Sequence, residues 1–334
     1  MTSFSFRFAG AITATALVCG PALANDPIVL GSPLKCEFGV DCFVQNFIDH
    51  DAGPGVRDFH CGGRTYNTHN GTDFRIPTDR MRKAGVEVLS MAPGRVARTR
   101  DGVDDVSIRV GGREAVKGRE CGNAVIIEHA DGWSTQYCHM AKGSIRVKPG
   151  DSVTAGQPIG LVGLSGDTEF SHVHVTVRQD NKVVDPYAYG APAESCGGGT
   201  SLWDPKIAAA VAYKEGEVMN FGFSSAIPTM DMIETGEIQD KPVAPKEPLL
   251  AYVRVIGLKA GDIQSLVIRN PSGAEIVNHS AQPLDGDRAQ QFISAGRRAQ
   301  AGPWPPGDYT AVYTLTRGGK PVMTKTFTAT MPDK

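Results

Sequence analysis

A chain of 334 residues has room for two domains of ordinary size, each with its own core. With 41% hydrophobic residues, 21% charged residues and a formal net charge of -2, it is neither a generally disordered polymer nor a basic protein built for nucleic acid or an anionic membrane surface. Its partners have to be read from particular side chains.

Residues 1–24 carry a positive charge at Arg7, an apolar run over residues 9–19, and the small-x-small sequence Ala22-Leu23-Ala24. This is the pattern of a secretory signal peptide cleaved before Asn25. The run is shorter than the about 20 residues that cross a bilayer, and no later stretch is long and apolar enough for a transmembrane segment. Export to the periplasm or the extracellular space is therefore expected. Beyond the cleavage point stand Cys36, Cys42, Cys61, Cys121, Cys138 and Cys196, an even number suited to disulfides in an oxidising compartment. None has the C-x-x-C spacing of a structural zinc site. Cys121 and Cys138 flank a hairpin, residues 125–129 and 134–139 turning at Asp131-Gly132, and are expected to pair; the other four are left open.

Residues 25–63 read as an irregular, disulfide-pinned region, broken by Gly31-Ser32-Pro33 and Gly53-Pro54-Gly55. It contains Asp49, His50, Asp51 and His60, a second set of candidate ligands whose plainer reading is a solvated loop. In Thr68-His69-Asn70-Gly71-Thr72-Asp73, the Asn-Gly pair marks a turn rather than a helix, so a loop should run into a strand. His69 and Asp73 can then converge on one cation, and an imidazole with a carboxylate suits zinc. Short strands with Gly-bearing turns follow over residues 86–98, 121–140 and 147–160, separated by a polar excursion over residues 100–120, and indicate an antiparallel sheet. Period-two alternation places Tyr137 and His139 on one face with Cys138 on the other. In His172-Val173-His174-Val175-Thr176-Val177 the same period puts both imidazoles on one face of a strand. Two neighbouring imidazoles leaving water need partners, such as a metal or a proton in transit.

His69-x-x-x-Asp73, Tyr137-Cys138-His139-Met140 and His172-x-His174, in that order, resemble the M23 (lysostaphin-type, or LytM-like) family of zinc metallopeptidases that cut peptide cross-bridges in peptidoglycan. The likeness covers roughly residues 60–190, including the Gly-rich residues 147–166 and Val184-Asp185-Pro186. The resemblance implies an antiparallel β-sheet peptidase domain, one Zn2+ per chain held by His69, Asp73 and His174, and His139 and His172 as the catalytic pair beside it. Three protein ligands leave a position for water, the arrangement of a catalytic zinc. His172 is the expected main base and His139 the partner that orients water or stabilises the oxyanion. Peptidoglycan stem peptides or cross-bridges are the implied substrate, and a non-cutting regulator that activates a cell-wall amidase is the alternative. Val175 stands where the family commonly has an aromatic residue and Met140 where leucine is frequent. Residues 147–160 also resemble the turns of biotinyl and lipoyl carrier domains, but no lysine stands on a tight hairpin there.

The peptidase region is expected to occupy residues 25–200. A helical connector follows over residues 201–215, with Asp204 capping a helix that begins at Pro205. Residues 237–248, charged and rich in proline, read as a linker or edge loop. Short strands over residues 250–256, 265–269, 275–277, 291–293, 309–315 and 323–330 then suggest an immunoglobulin-like β-sandwich filling residues 216–334. It has no cysteine and no motif; a wall or protein partner is its candidate role, and His279 reads as a surface residue.

Overall fold

The computed structural model describes residues 1–2, 26–192, 195–299 and 302–333. The leader expected over residues 1–24 thus lies outside the described residues except for its first two. Among the described residues no helix is long and apolar enough to cross a membrane.

The chain is mainly β. Its first ten strands are β1 (Phe43–Asn46), β2 (Thr72–Arg75), β3 (Glu87–Leu89), β4 (Gly94–Arg100), β5 (Asn123–Glu128), β6 (Trp133–Met140), β7 (Ser152–Val153), β8 (Pro158–Leu161), β9 (His172–Gln179) and β10 (Lys182–Val184). Eight of them form one antiparallel sheet in the order β1-β2-β9-β6-β5-β4-β7, with β10 beside the second half of β9, while β3 and β8 make a separate ribbon. Val173, Val175 and Val177 of β9 face the core with Phe74, Tyr137, Val125 and Ile127, against Phe47, Met91, Ile159 and Trp203. Each such side chain contributes about 1.5–3 kcal/mol on full burial. A one-residue slip would turn the whole valine set outward, so this face locks the register.

Strand β1 lies within the stretch read as irregular. All four of its residues are buried, so neither face shows the alternation by which a half-exposed strand is recognised. Cys121 and Cys138 are bonded as expected; Cys36–Cys42 closes the loop ahead of β1, and Cys61–Cys196 ties that region to a segment 135 residues away.

The remaining strands are β11 (Glu217–Ser224), β12 (Leu249–Leu258), β13 (Ile263–Arg269), β14 (Glu275–Ser280), β15 (Arg288–Arg297), β16 (Gly307–Arg317) and β17 (Lys320–Met331). They form a three-stranded sheet, β11-β12-β15, and a four-stranded sheet, β14-β13-β16-β17. Val253, Val255 and Ile293 of the first meet Leu266, Ile268, Tyr313 and Leu315 of the second, which makes a β-sandwich. His279 is exposed, as expected.

The described residues also hold four short α-helices, α1 (Asp79–Ala84), α2 (Ile108–Gly111), α3 (Pro205–Ala208) and α4 (Met230–Thr235), and two 3-10 turns. Asp204 does cap α3, accepting from Lys206 N at 2.9 Å, but the helix expected to follow is a single turn. Isolated helices this short are marginal. Here Val211 is drawn fully into the core and Tyr213 packs on Phe47, so tertiary contacts override local propensity. Helix α4, unforeseen in the sequence, is started by Thr229, whose hydroxyl accepts from Met232 N at 3.2 Å, and is stopped by Gly236 at φ 85°. It lies where the eight-stranded sheet and the sandwich meet; Phe43 of β1 packs there on Met219 and Ile256.

Candidate active site

Pairing of β2 with β9 sets Asp73 directly opposite His174 and Arg75 opposite His172. The turn at Asn70-Gly71 brings His69 back over the same spot. His69 Nε2 then lies 3.2 Å from Asp73 Oδ1 and 3.1 Å from His174 Nδ1, and His174 Nδ1 lies 2.9 Å from Asp73 Oδ1. All three side chains are buried.

The partners of the other ring nitrogens fix where the lone pairs point. A carbonyl oxygen only accepts, so an imidazole nitrogen beside one carries the hydrogen. His69 Nδ1 donates to Phe47 O at 2.6 Å, His139 Nδ1 to Ser165 O at 2.8 Å, and His172 Nδ1 to Phe170 O at 2.9 Å. Each therefore turns an Nε2 lone pair away from those carbonyls. His174 is reversed: its Nε2 is 3.2 Å from Asn70 Oδ1 and 3.1 Å from Thr176 Oγ1, leaving Nδ1 toward the cluster.

Burial alone would raise the Asp73 pKa, but the His69 and His172 imidazoles beside it, with the close approach of His174, hold it well below the ordinary value. An ionised carboxylate oxygen thus sits beside two imidazole lone pairs 3.1 Å apart. Such a group is held together by positive charge among its members, a metal ion or, without one, a proton on His69, whose pKa Asp73 pulls upward against burial. Zinc takes nitrogen and oxygen ligands at about 2.0–2.2 Å, which puts tetrahedral neighbours about 3.3 Å apart, close to the separations found here. The outward N–H of His69 is held by a carbonyl, as metal-ligating imidazoles require. The donor set fits a metal ion.

His139 and His172 flank this cluster with ring centroids 4.7 Å apart, and His172 Nε2 is 3.4 Å from Asp73 Oδ1. Burial, together with the imidazoles of His172 and His174, holds the His139 pKa well below its ordinary value, so its ring is neutral. His139 departs from the face expected for it. Tyr137 points into the core, where its hydroxyl accepts from Met91 N at 2.8 Å, whereas Cys138 and His139 both line the cleft. The reason is backbone: His139 has φ 61°, the left-handed region, which breaks the period of two. Strain of this kind in a non-glycine residue concentrates at functional sites.

The second set of candidate ligands stands apart from the cluster. His50 pairs with Asp185 at 2.7 Å, His60 stacks on Tyr213 at 4.3 Å, and Asp49 accepts from the backbone of Asp51, Arg57 and Thr68. These contacts brace the loop that leads into His69. Sequence reasoning missed Asn46, whose Nδ2 donates to Asp73 Oδ2 at 3.0 Å and so leaves Oδ1 to face the imidazoles. It also missed Tyr66, stacked on His69 at 4.2 Å. Tyr66 stands three residues before a flagged histidine, but Asn46 is distant in sequence and carries no signal.

Gly71 is packed so closely that a Cβ there would lie 2.5 Å from both His174 Nε2 and Val175 O. Gly71→Ala should displace the His174 ring and weaken metal binding by about 10–100-fold, the range for lost support of a ligand. Competition with a chromogenic chelator measures it; unchanged affinity would show that the loop yields instead.

Tyr66, Asn70, Gln136, His139, His174 and Arg178 are among the residues lining a cleft of about 260 Å³ at the cluster. Residues 67–186, which include all five histidine and aspartate positions, match the model of Peptidase family M23. Two curated relatives from Vibrio cholerae are similar to this chain: peptidoglycan DD-endopeptidase ShyB, 34% identical over 117 residues, and peptidoglycan DD-endopeptidase ShyA, 34% identical over 127 residues. The matches cover 35% and 38% of this chain but only 22% and 24% of those relatives. Among solved structures, the catalytic domain of the prophage-encoded M23 protein EnpA from Enterococcus faecalis is 28% identical with a TM-score of 0.31, covering 49% of this chain and 97% of that one.

Proposed function

We propose, from the match of residues 67–186 to the model of Peptidase family M23, that the chain is an exported zinc endopeptidase hydrolysing peptide bonds of peptidoglycan stem peptides or cross-bridges. The observation that carries this reading is the meeting of His69 Nε2, Asp73 Oδ1 and His174 Nδ1 beside two further imidazoles that are not needed to hold the ion. The leader pattern and the three disulfides support export.

His69, Asp73 and His174 would hold one zinc ion. Zinc there supplies Lewis acidity, polarising a carbonyl and easing loss of a proton from water near neutral pH. His172 keeps a free Nε2 next to the cluster, so it takes the water's proton and returns one to the leaving amine. His139 has committed its only hydrogen to Ser165, which leaves an acceptor for the cleft. That suits orienting the water rather than donating to an oxyanion.

Arg178 lines the same cleft with Nη1 fixed by Gln136 Oε1 at 2.9 Å, and it has no ion pair among the described residues. Desolvation by burial alone pulls its pKa down. A carboxylate of the stem peptide is its natural partner. A charged hydrogen bond is worth about 1.5–3 kcal/mol, so Arg178→Ala should raise KM about 10–100-fold with kcat little changed. Amidated peptides should lose this dependence; equal KM changes for both peptide forms would exclude the contact.

The whole reading is tested on purified protein by metal analysis and muropeptide mass spectrometry. About one zinc per chain, new amino termini from peptidoglycan, and arrest by a chelator are expected. Zinc-loaded protein that leaves cross-linked muropeptides intact would support the regulator of a wall amidase instead.

A further inference from the structure

At the boundary between sheet and sandwich, one carboxylate serves two guanidiniums. Arg75 of β2 is fully buried; its Nη2 donates to Glu234 Oε2 at 2.5 Å, and its Nη1 donates to Gln45 Oε1 and Gln290 Oε1, each at 3.0 Å. Arg254 of β12, also fully buried, donates to the same Glu234 oxygen, to Pro77 O, and through Nε to Asn220 Oδ1 at 2.7 Å. Two positive charges against one negative leave an excess. The Phe170 ring takes it, with Arg75 Cζ 4.0 Å from the ring centroid.

Phe170, together with Thr168 Oγ1 at 3.1 Å from His172 Nδ1, also orients the His172 ring. Its ring centroid is 4.8 Å from the imidazole, and its carbonyl accepts the Nδ1–H at 2.9 Å. That hydrogen bond is what leaves Nε2 free beside Asp73. Residues 162–171, which carry Phe170, belong to no named strand or helix; isolated backbone bridges at Val162, Gly163 and Ser165 hold the segment's first half, and the Phe170 side chain meets Arg75 and His172 near its end. Glu234 sits on α4, Arg254 on β12 and Gln290 on β15, all in the C-terminal half.

We propose that the C-terminal sandwich and its helix α4 position the His172 imidazole through Glu234, Arg75 and Phe170. This role for the C-terminal half rests on the peptidase reading but goes beyond it. Glu234, Arg75 and Phe170 are positioning residues: Arg75 pairs with the His172 backbone across the ladder, and the Phe170 ring meets the imidazole.

The test uses the full zinc-loaded chain with Phe170→Leu and Glu234→Gln. Misplacing a catalytic group by about 1 Å can cost on the order of 10²-fold, so kcat should fall about tenfold or more while KM and zinc content hold. Long-range 1H–15N NMR correlations of the His172 ring should move in both variants, and those of His129, held by Pro93 O and Thr135, should not. Phe327→Leu, in the sandwich core away from this chain of contacts, controls for lost stability and should leave kcat and the His172 signals alone. Wild-type kcat with unmoved His172 signals in either variant would overturn the proposal. An inactive wild-type protein would instead overturn the peptidase reading, and the NMR comparison would still decide the positioning.

Discussion

His139→Ala should keep its zinc and lose about 10²–10⁴-fold in kcat, the range for removing a group that handles protons in the transition state, whereas Asp73→Ala should lose zinc and activity together. The difference follows from position. Asp73 is the anion among the donor atoms, touching His69 and His174 and supported by Asn46. His139 stands one ring away, against His172, with its hydrogen bonded outside the cluster. Zinc analysis with kinetics on a fluorogenic stem peptide separates the two, and equal metal loss in both variants would undo the assignment. The depressed His139 pKa adds a pH signature. The ring remains a neutral acceptor through the neutral range, so the acid limb of kcat should lie below about pH 6.5, the ordinary histidine value. Stability should fall over the same interval, because the unfolded chain there binds a proton that the folded site refuses.

Glu234→Leu should destabilise the protein by about 3–5 kcal/mol, the cost of breaking a buried ion pair from one side. Leucine would leave Arg75 and Arg254 fully buried without a counter-charge, with only neutral acceptors and the face of Phe170 remaining to them. Denaturant unfolding monitored by circular dichroism gives the number. Replacing both arginines by methionine in the Glu234→Leu background should recover much of the loss, since an apolar cluster of similar volume has no charge to desolvate. Absence of any recovery would locate the damage in packing around α4 rather than in charge.

Much of the N-terminal half was legible in the sequence because its signals are local. Alternating valines in residues 173–177 announce β9, and an Asn-Gly turn between His69 and Asp73 announces a loop entering a strand. What stayed hidden is of two kinds. Strand β1 is buried on both faces and so has no period, yet it delivers Asn46 to Asp73. The facing of His139 was misjudged because one left-handed residue reverses an alternation that neighbouring letters cannot reveal. In the C-terminal half the strands were readable from their turns, but Glu234 gave no hint of its partners. Arg75 and Arg254 lie 159 and 20 residues away in sequence, and only the folded chain brings them to one oxygen.

The pairing of β2 with β9 sets Asp73 against His174 by the same hydrogen bonds that hold Phe74 and Val173 in the core. Mutational tolerance is constrained accordingly. In many enzymes a lineage can exchange stability for activity, because the reacting groups sit on loops that the core barely senses. Here a change that shifts this ladder forfeits both at once, and one that secures it protects both. Stabilising substitutions aimed at β2 and β9 should therefore be free of the usual penalty in rate.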